Sequence, residues 1–277
     1  MRLVICGTRG STPAPGPDFV RYGGHTSCIA VARDGATPML IVDAGTGLRK
    51  VTTLLGGQPF AGTILLSHLH WDHTHGLPFF RGGDNPRARV DVHLPAQGAD
   101  PEAALAQGMS PPNFPIRPSE LQGQWRFCGL EEGEHDIAGF AVLAREIPHK
   151  GGRTFGYRVS DRHTTFAYLS DHHPLSAGAG PAGFGEYHEA ARTLADGVDL
   201  LIHDAQYIAE EFPARAHFGH STVDYAVGLA EACHVRRLLL FHHDPPRTDE
   251  QIDAILTGLR DACVPVIAAM EGQVIDL

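Results

Sequence analysis

Short apolar runs separated by Gly- and Pro-rich turns dominate the chain, and most have the length and β-rich content of strands. Three such runs lie near the N-terminus, at 3–6, 29–32 and 39–42. Longer segments typical of helices lie near 101–107, 187–196, 223–232 and 249–261. Thr248 or Asp249 could cap the last of these helices. Because strands and helices occur in both halves, we predict β-sheets with helices on their outer faces.

Five further apolar runs share a second property, since each ends in a residue that can bind a metal or move a proton. The residues at these ends are His68, His149, Asp171, His203 with Asp204, and His242 with His243. Strand ends on one edge of a sheet lie near one another on a rigid scaffold. We therefore predict one site collected from distant parts of the chain. The alternative is that polar residues simply end strands, but His or Asp at all five ends fits that alternative poorly.

The segment 82–124 is less regular and contains the proline-rich stretch SPPNFPIRP at 110–118. Its length is typical of a functional cover rather than of a simple connection. Phe114 and its neighbouring prolines are expected to form either an apolar lid or a packed surface loop. Since no repeat or low-complexity linker divides the chain, we predict a single domain over 1–277, with an active-site cover loop around 82–124.

Composition narrows the classes of function. With 277 residues and 43% hydrophobic positions, the chain can bury a sizeable core. Its formal net charge is −10, so no stable nucleic-acid complex is expected, whereas a small anionic substrate held by metal ions is allowed. No apolar run approaches the ~20 residues of a membrane span, and the first residues lack a secretory apolar segment. We expect a cytoplasmic protein with buried cysteine thiols and no membrane partner, and a homodimer is compatible with the sequence.

The segment 67–73, with the sequence SHLHWDH, carries the strongest chemical signal. His68 and His70 are two residues apart, so they point to the same side of an extended backbone. Asp72 and His73 follow where the chain turns. Three imidazoles and one carboxylate suit Zn, Mn or Fe, but one ion cannot easily take all four from so short a loop. We therefore predict two adjacent ions, which two-metal hydrolases hold about 3.5–4 Å apart.

This H-x-H-x-D-H arrangement resembles the signature of the metallo-β-lactamase superfamily, and the resemblance extends over essentially the whole chain. Further matching elements are VDAG at 42–45, HKGGRTFGYR at 149–158, LSD at 169–171, GHST at 219–222 and LFHH at 240–243. The elements HKGGRTFGYR and GHST resemble those of the branch that contains tRNA 3′-processing nucleases and phosphodiesterases. The resemblance implies an α/β fold, a four-layer αββα sandwich of two mixed β-sheets with outer helices.

The resemblance also implies a role for each matched residue. The implied ligands are His68, His70 and His149 for the first metal ion, Asp72, His73 and His242 for the second, and Asp171 bridging both. His220 is implied to be a catalytic residue near the scissile phosphate, with Asp204 orienting it, and Asp72 is counted with the catalytic set. The implied cofactors are two divalent ions, with Zn²⁺ preferred and Mn²⁺ or Fe²⁺ as alternatives.

Several histidines leave alternatives open. His243 competes with His242 as the last ligand; alignment of the strand end favours His242, and strand alternation argues against both binding metal. His172 and His173 follow Asp171 directly; we expect neither to bind metal, and we expect them to face solvent rather than to line the pocket. His25 stands where we would expect Asn in the similar phosphodiesterases, so no role is assigned to it.

The net charge of two divalent ions, two aspartates and a bridging hydroxide is about +1, which suits an anionic phosphodiester. We predict a binuclear hydrolase that cleaves a small phosphodiester, such as a cyclic nucleotide, by attack of a metal-bridging hydroxide. One alternative is a tRNA or RNA 3′-processing endonuclease, although no basic extended insertion is present to grip tRNA. Another is a lactone or carboxylic-ester hydrolase. A two-iron redox enzyme fits less well because His70 replaces the Glu of such relatives, and an inactive scaffold would have lost ligands.

Overall fold

The computed structural model describes residues 1–33, 35–174, 183 and 186–277, which form two β-sheets. The strands of the first sheet are β1 (Arg2–Gly7), β2 (Cys28–Ala32), β3 (Leu40–Val42), β4 (Ala61–Leu65), β5 (Arg89–Pro95), β6 (Gln124–Leu130) and β14 (Val274–Asp276). Those of the second are β7 (Gly133–Ile137), β8 (Phe140–Glu146), β9 (Phe155–Ser160), β10 (Thr165–Leu169), β11 (Leu200–Asp204), β12 (Leu238–Phe241) and β13 (Val266–Ala268).

Both sheets mix parallel and antiparallel pairing. The spatial order is β14-β1-β2-β3-β4-β5-β6 in the first sheet and β13-β12-β11-β10-β9-β8-β7 in the second. Strands β3 to β6 run parallel to one another, as do β10 to β13. The other neighbouring strands pair antiparallel. Parallel strands bring their carboxyl ends to one edge of a sheet, which is where ligand sites form in sheets of this kind.

Helices cover the outer faces of the sheets. They are α1 (Val51–Leu54), α2 (Trp71–Thr74), α3 (Pro101–Ala106), α4 (Glu189–Ala195), α5 (Phe212–Arg215), α6 (Val223–Ala232) and α7 (Asp249–Gly258). Short 3₁₀ turns lie at Pro17–Phe19, Thr46–Lys50, Leu77–Phe79, Pro118–Glu120 and Ala216–Phe218. Thr248 caps α7, since its Oγ1 accepts from the Gln251 N–H, and the Thr248 N–H donates to Gln251 Oε1, so one of the two predicted caps is confirmed.

Three buried apolar clusters define the layers. The central one lies between the sheets and joins residues such as Val31 and Leu40 to Tyr157 and Phe166. A second packs the outer face of the second sheet against α4 and α6, and a third covers the outer face of the first sheet. The four-layer sandwich of two mixed sheets with outer helices is therefore confirmed. Among the described residues, no helix combines the length and apolar character needed to cross a bilayer.

The less regular segment 82–124 contains one strand that the sequence analysis missed. Strand β5 (Arg89–Pro95) alternates buried positions with exposed or half-buried ones along most of its length, and the period-two pattern was the available signal. The single-domain organisation and the cover loop around 82–124 stay predictions. Residues of this segment do reach the candidate site, since Met109, Asn113 and Phe114 line the pocket in front of it.

Candidate metal centre

The predicted ligands lie at strand ends or on short turns that follow them. His68 follows β4, and the α2 turn begins directly after His70, which places Asp72 on its first turn. Asp171 follows β10 and His242 follows β12. Because both sheets present these ends on the same side of the sandwich, residues far apart in the sequence meet there.

The structure brings all seven predicted ligands into two adjoining groups. The groups are His68, His70 and His149, and Asp72, His73, Asp171 and His242, with potential ligand atoms in each within 4.8 Å of one another. Asp171 faces both. Its Oδ1 lies 3.6 Å from His149 Nε2, and its Oδ2 lies 3.0 Å from His73 Nε2. This is the position that a bridging ligand would require.

Buried polar atoms in these groups lack ordinary partners. His68 Nε2, His73 Nε2 and Asp171 Oδ2 are buried and make no hydrogen bond within the described part of the chain, although the last two lie 3.0 Å apart. A buried polar atom left unpaired costs about 1–3 kcal/mol. Imidazole nitrogens and carboxylate oxygens together are a donor set that divalent transition metals accept. The residues therefore fit divalent metal ions.

Hydrogen bonds on the far side of three rings set which nitrogen faces the centre. They run from His73 Nδ1 to Asp43 Oδ2 (2.7 Å), from His149 Nδ1 to the Gly219 carbonyl (2.7 Å) and from His242 Nδ1 to Gln206 Oε1 (2.9 Å). With Nδ1 donating, the neutral form of each ring directs the Nε2 lone pair toward the ligand group.

Asp43 is the main residue that sequence reasoning left without a role. Its carboxylate accepts hydrogen bonds from Ser67 N and Oγ and from Tyr168 Oη at 2.6–2.9 Å, in addition to that from His73. Its backbone has a positive φ of 60°, a conformation that is costly for a non-glycine residue and is common at functional sites. The available signal was an aspartate directly after the buried strand β3. Gln206 was also missed, and no sequence pattern pointed to it.

Burial and nearby charges shift the pKa values of the histidines differently in the two groups. Burial lowers the pKa of His149 to about 4 and that of His68 well below its ordinary value. Burial also acts to lower the pKa of His242, but the Asp171 carboxylate and a hydrogen bond with Asp72 outweigh it and raise this pKa to about 9. Without metal, the first group is therefore neutral at pH 7, whereas the second holds protons that a cation must displace.

His220 lies against both groups. Its ring centroid is 4.9 Å from that of His242 and 5.2 Å from that of His149. Its Nδ1 lies 2.9 Å from Asp204 Oδ2. Asp204 is fully buried at the end of β11, so it can hold the His220 ring in one orientation.

Three other histidines near the site, His243, His172 and His173, lie outside the candidate ligand groups. His243 donates from Nε2 to the Ala269 carbonyl at 3.0 Å and lies outside the candidate ligand groups, whereas His242 lies within one of them. The expectation that His172 faces solvent is wrong. It is fully buried, with Nδ1 2.9 Å from His203 Nε2, because it points into the layer between the second sheet and α6. His173 is half-buried.

A pocket of about 1320 Å³ opens in front of the first group. His68 and His70 lie in its lining. His25 lines it as well, with its Nδ1 3.1 Å from Thr46 Oγ1. Three arginines contribute to the walls, at positions 49, 81 and 153. The arrangement can therefore hold an anionic substrate next to bound cations.

Comparisons with known proteins agree with this architecture. Residues 39–243 match the family model described as the beta-lactamase superfamily domain. A ribonuclease Z from Exiguobacterium sp. is 46% identical over 280 aligned residues, covering 87% of this chain and 88% of that protein. YhfI from Bacillus subtilis, a metallo-beta-lactamase fold protein, has a TM-score of 0.73 at 16% identity over 99% of both chains. A diphosphatase from the PhnP family has a TM-score of 0.73 at 19% identity, covering 100% of this chain and 97% of that one.

Proposed function

Because the chain belongs to the beta-lactamase superfamily and is a metal-dependent hydrolase, we propose that it cleaves phosphodiester bonds, with RNA near a 3′ end as its substrate. The observation that carries the proposal is the His220–Asp204 pair, hydrogen-bonded at 2.9 Å beside the two ligand groups. An alkoxide leaving group needs a proton donor or a strong hydrogen bond, whereas binding the metals does not require this pair.

The ligand groups would hold two divalent ions, for which we propose Zn²⁺ before Mn²⁺ or Fe²⁺. Such ions supply Lewis acidity and lower the pKa of bound water toward 7. The chain's own residues supply the rest. Asp204 accepts from His220 Nδ1, which leaves Nε2 to carry the proton toward the leaving oxygen. The backbone N–H of Ser11 donates to Asp72 Oδ2 at 2.7 Å and holds that carboxylate in place.

Different observations favour an RNA substrate and a small phosphodiester substrate. Sequence reasoning placed a small phosphodiester first and RNA second. The relatives named ribonuclease Z reverse that order, and a pocket of about 1320 Å³ exceeds the roughly 300–1,000 Å³ typical of small-ligand sites. The net charge of −10 still favours a small phosphodiester, which remains the second candidate.

An activity screen tests the proposal. Protein loaded separately with Zn²⁺, Mn²⁺ or Fe²⁺ would be given a precursor tRNA with a 3′ trailer, cyclic nucleotides, a generic phosphodiester and a lactone panel. We expect RNA cleavage at low enzyme concentration. Turnover of cyclic nucleotides alone would favour the second candidate, and turnover of lactones with none on any phosphodiester would reject the proposal.

His220→Ala tests the role of the pair. We expect turnover to fall roughly 10²- to 10⁴-fold, the usual contribution of general acid–base catalysis, while bound metal stays the same. The matched control is His163→Ala, an exposed histidine in the turn between β9 and β10. Metal analysis and kcat would be measured on all three proteins. Equal activity in His220→Ala and in the unchanged protein would refute the assignment.

A further inference from the structure

Two large aromatic side chains are exposed in the pocket in front of the candidate metal centre. Trp71 is 68% exposed and Phe79 is 61% exposed, and both line the same cavity. Leaving large apolar surface in water is unfavourable. Clustered apolar surface rimmed by polar groups is typical of a binding site. Neither side chain has a role in the function proposed above.

Trp71 lies directly between His70 and Asp72, one predicted ligand from each metal group. The His75 ring stacks on the indole, with centroids 5.4 Å apart and planes 21° apart. The exposed fraction of Trp71 shows that much of the rest of the ring is open. A nucleobase that stacks on the open face would therefore lie in the pocket that His68 and His70 also line.

A second aromatic element lies in the same pocket. Phe79 and Phe114 meet edge to face, with centroids 5.9 Å apart and planes 88° apart. The segment 107–114 joins the two elements. Its Gly108 lies beside Trp71, since a Cβ atom placed there would be 3.9 Å from Nε1, and its Phe114 supports Phe79. The pocket is therefore lined by two aromatic surfaces that this segment connects.

The charges in the pocket are unlike those of the molecule as a whole. Arg49 and Arg81 line the pocket, are exposed, and have no ion-pair partner within the described ranges. Arg153 is already paired with Glu131 and Glu146. Asp84 is the one acidic side chain among the lining residues that the structure describes. A basic pocket in a chain of net charge −10 complements a polyanion locally.

We propose that Trp71 and the Phe79–Phe114 pair are stacking platforms for the unpaired nucleobases that flank the scissile phosphodiester. Arg49 and Arg81 bind the neighbouring phosphates. Aromatic rings with interspersed arginines are how proteins bind single-stranded nucleic acid with little sequence preference. The inference rests on the proposed phosphodiesterase function and adds that the substrate is recognised through unpaired bases in an extended strand.

The test compares two short single-stranded RNAs, one complete and one lacking the base next to the cleaved bond. For Trp71→Ala, we expect kcat/KM on the complete RNA to fall roughly 5- to 150-fold, the range reported for loss of one base–aromatic stack. On the abasic RNA we expect a change of less than about twofold, because the stack is already missing. Val274→Ala, an exposed apolar side chain on β14 that does not line this pocket, is the control.

A binding measurement separates this inference from the proposed reaction. Trp71 and Trp125 are the two tryptophans of the chain, so Trp125→Phe makes fluorescence a direct report on Trp71. We expect a nuclease-resistant phosphorothioate RNA to quench this fluorescence and its abasic counterpart to leave it unchanged. Quenching in a protein that cleaves no phosphodiester would support the stacking site and reject the proposed function. Equal losses on both RNAs in Trp71→Ala, or no quenching by the complete RNA, would overturn the stacking site alone.

Discussion

Single hydrogen bonds behind the histidine rings decide how the candidate centre presents its ligands. The Asp43 carboxylate behind His73 accepts four hydrogen bonds and is fully buried. A carboxylate behind a ligand histidine fixes the tautomer and increases the basicity of the ring. The interaction is therefore both a structural restraint on the ring and an electronic contribution to metal affinity.

Asp43→Asn keeps the size of this side chain and removes its charge. We expect metal affinity to fall roughly 10- to 100-fold, measured by competition with a chelator of known affinity. Asp91→Asn is the matched control, because Asp91 forms an exposed pair with Arg126 at the surface, and it should leave affinity unchanged. Unchanged affinity in Asp43→Asn would contradict the positioning role.

The pKa of His242, raised to about 9, predicts how metal affinity depends on pH. In the metal-free protein this imidazole is protonated at pH 7, and a cation must displace that proton. Apparent affinity should therefore rise by about tenfold per pH unit for each displaced proton and level off above about pH 9. Chelator competition at pH 6.5, 7.5, 8.5 and 9.5, with proton release measured in parallel, checks this. Affinity that does not change with pH would contradict it.

Among the secondary-structure elements, the segment Gly219–Thr222 connects His220, the proposed catalytic residue, to helix α6. Gly219 has a positive φ of 91°, and Thr222 is the N-cap of α6, accepting from Tyr225 N at 3.1 Å. Between them, Ser221 Oγ donates to the His172 carbonyl. The His220 position is therefore set by a helix start and by a buried loop of the second sheet.

Removing the Thr222 cap should destabilise the start of helix α6. We expect Thr222→Ala to lower the free energy of unfolding by about 1 kcal/mol and to lower kcat as well, because His220 is two residues away. Thr222→Ser keeps the hydroxyl and should restore most of both. Urea unfolding and steady-state kinetics measure the two effects. A full loss of activity in Thr222→Ser would show that the methyl group, and not the cap, is what matters.

Across the whole molecule, the candidate ligands join the two sheets. His68, Asp72 and His73 follow a strand of the first sheet, whereas Asp171 and His242 follow strands of the second. Ions bound here would therefore connect the layers on either side of the central core. Ligands that bind only the folded state stabilise it by mass action.

Metal removal should lower the stability of the whole molecule. One site filled at about 100 times its dissociation constant contributes about 2.7 kcal/mol, so chelator treatment should lower the thermal midpoint and added Zn²⁺ should restore it. Metal analysis before and after treatment is the control. An unchanged midpoint in protein shown to be free of metal would contradict this coupling of binding to folding.

Much of the fold and of the candidate site could be predicted from local sequence patterns. The helices near α3, α4, α6 and α7 and most of the predicted strands formed close to their expected positions, because hydrophobic period and caps act over a few residues. Strand β5 was missed inside a segment interpreted as a loop. Every predicted ligand met at one place, since each followed an apolar run that became a strand.

By itself the sequence determined which residue types end the strands, and therefore that metal-binding side chains gather at one edge. Only the tertiary structure showed that His242 lies among the candidate ligands, 3.0 Å from Asp72, and that His243 is bonded to the Ala269 carbonyl instead. It also decided that His172 is buried, that Asp43 and Gln206 hydrogen-bond to the rings of candidate ligands, and that Trp71 opens into a basic pocket. These outcomes depend on contacts between layers that are distant in the chain, and local patterns carry no information about such contacts.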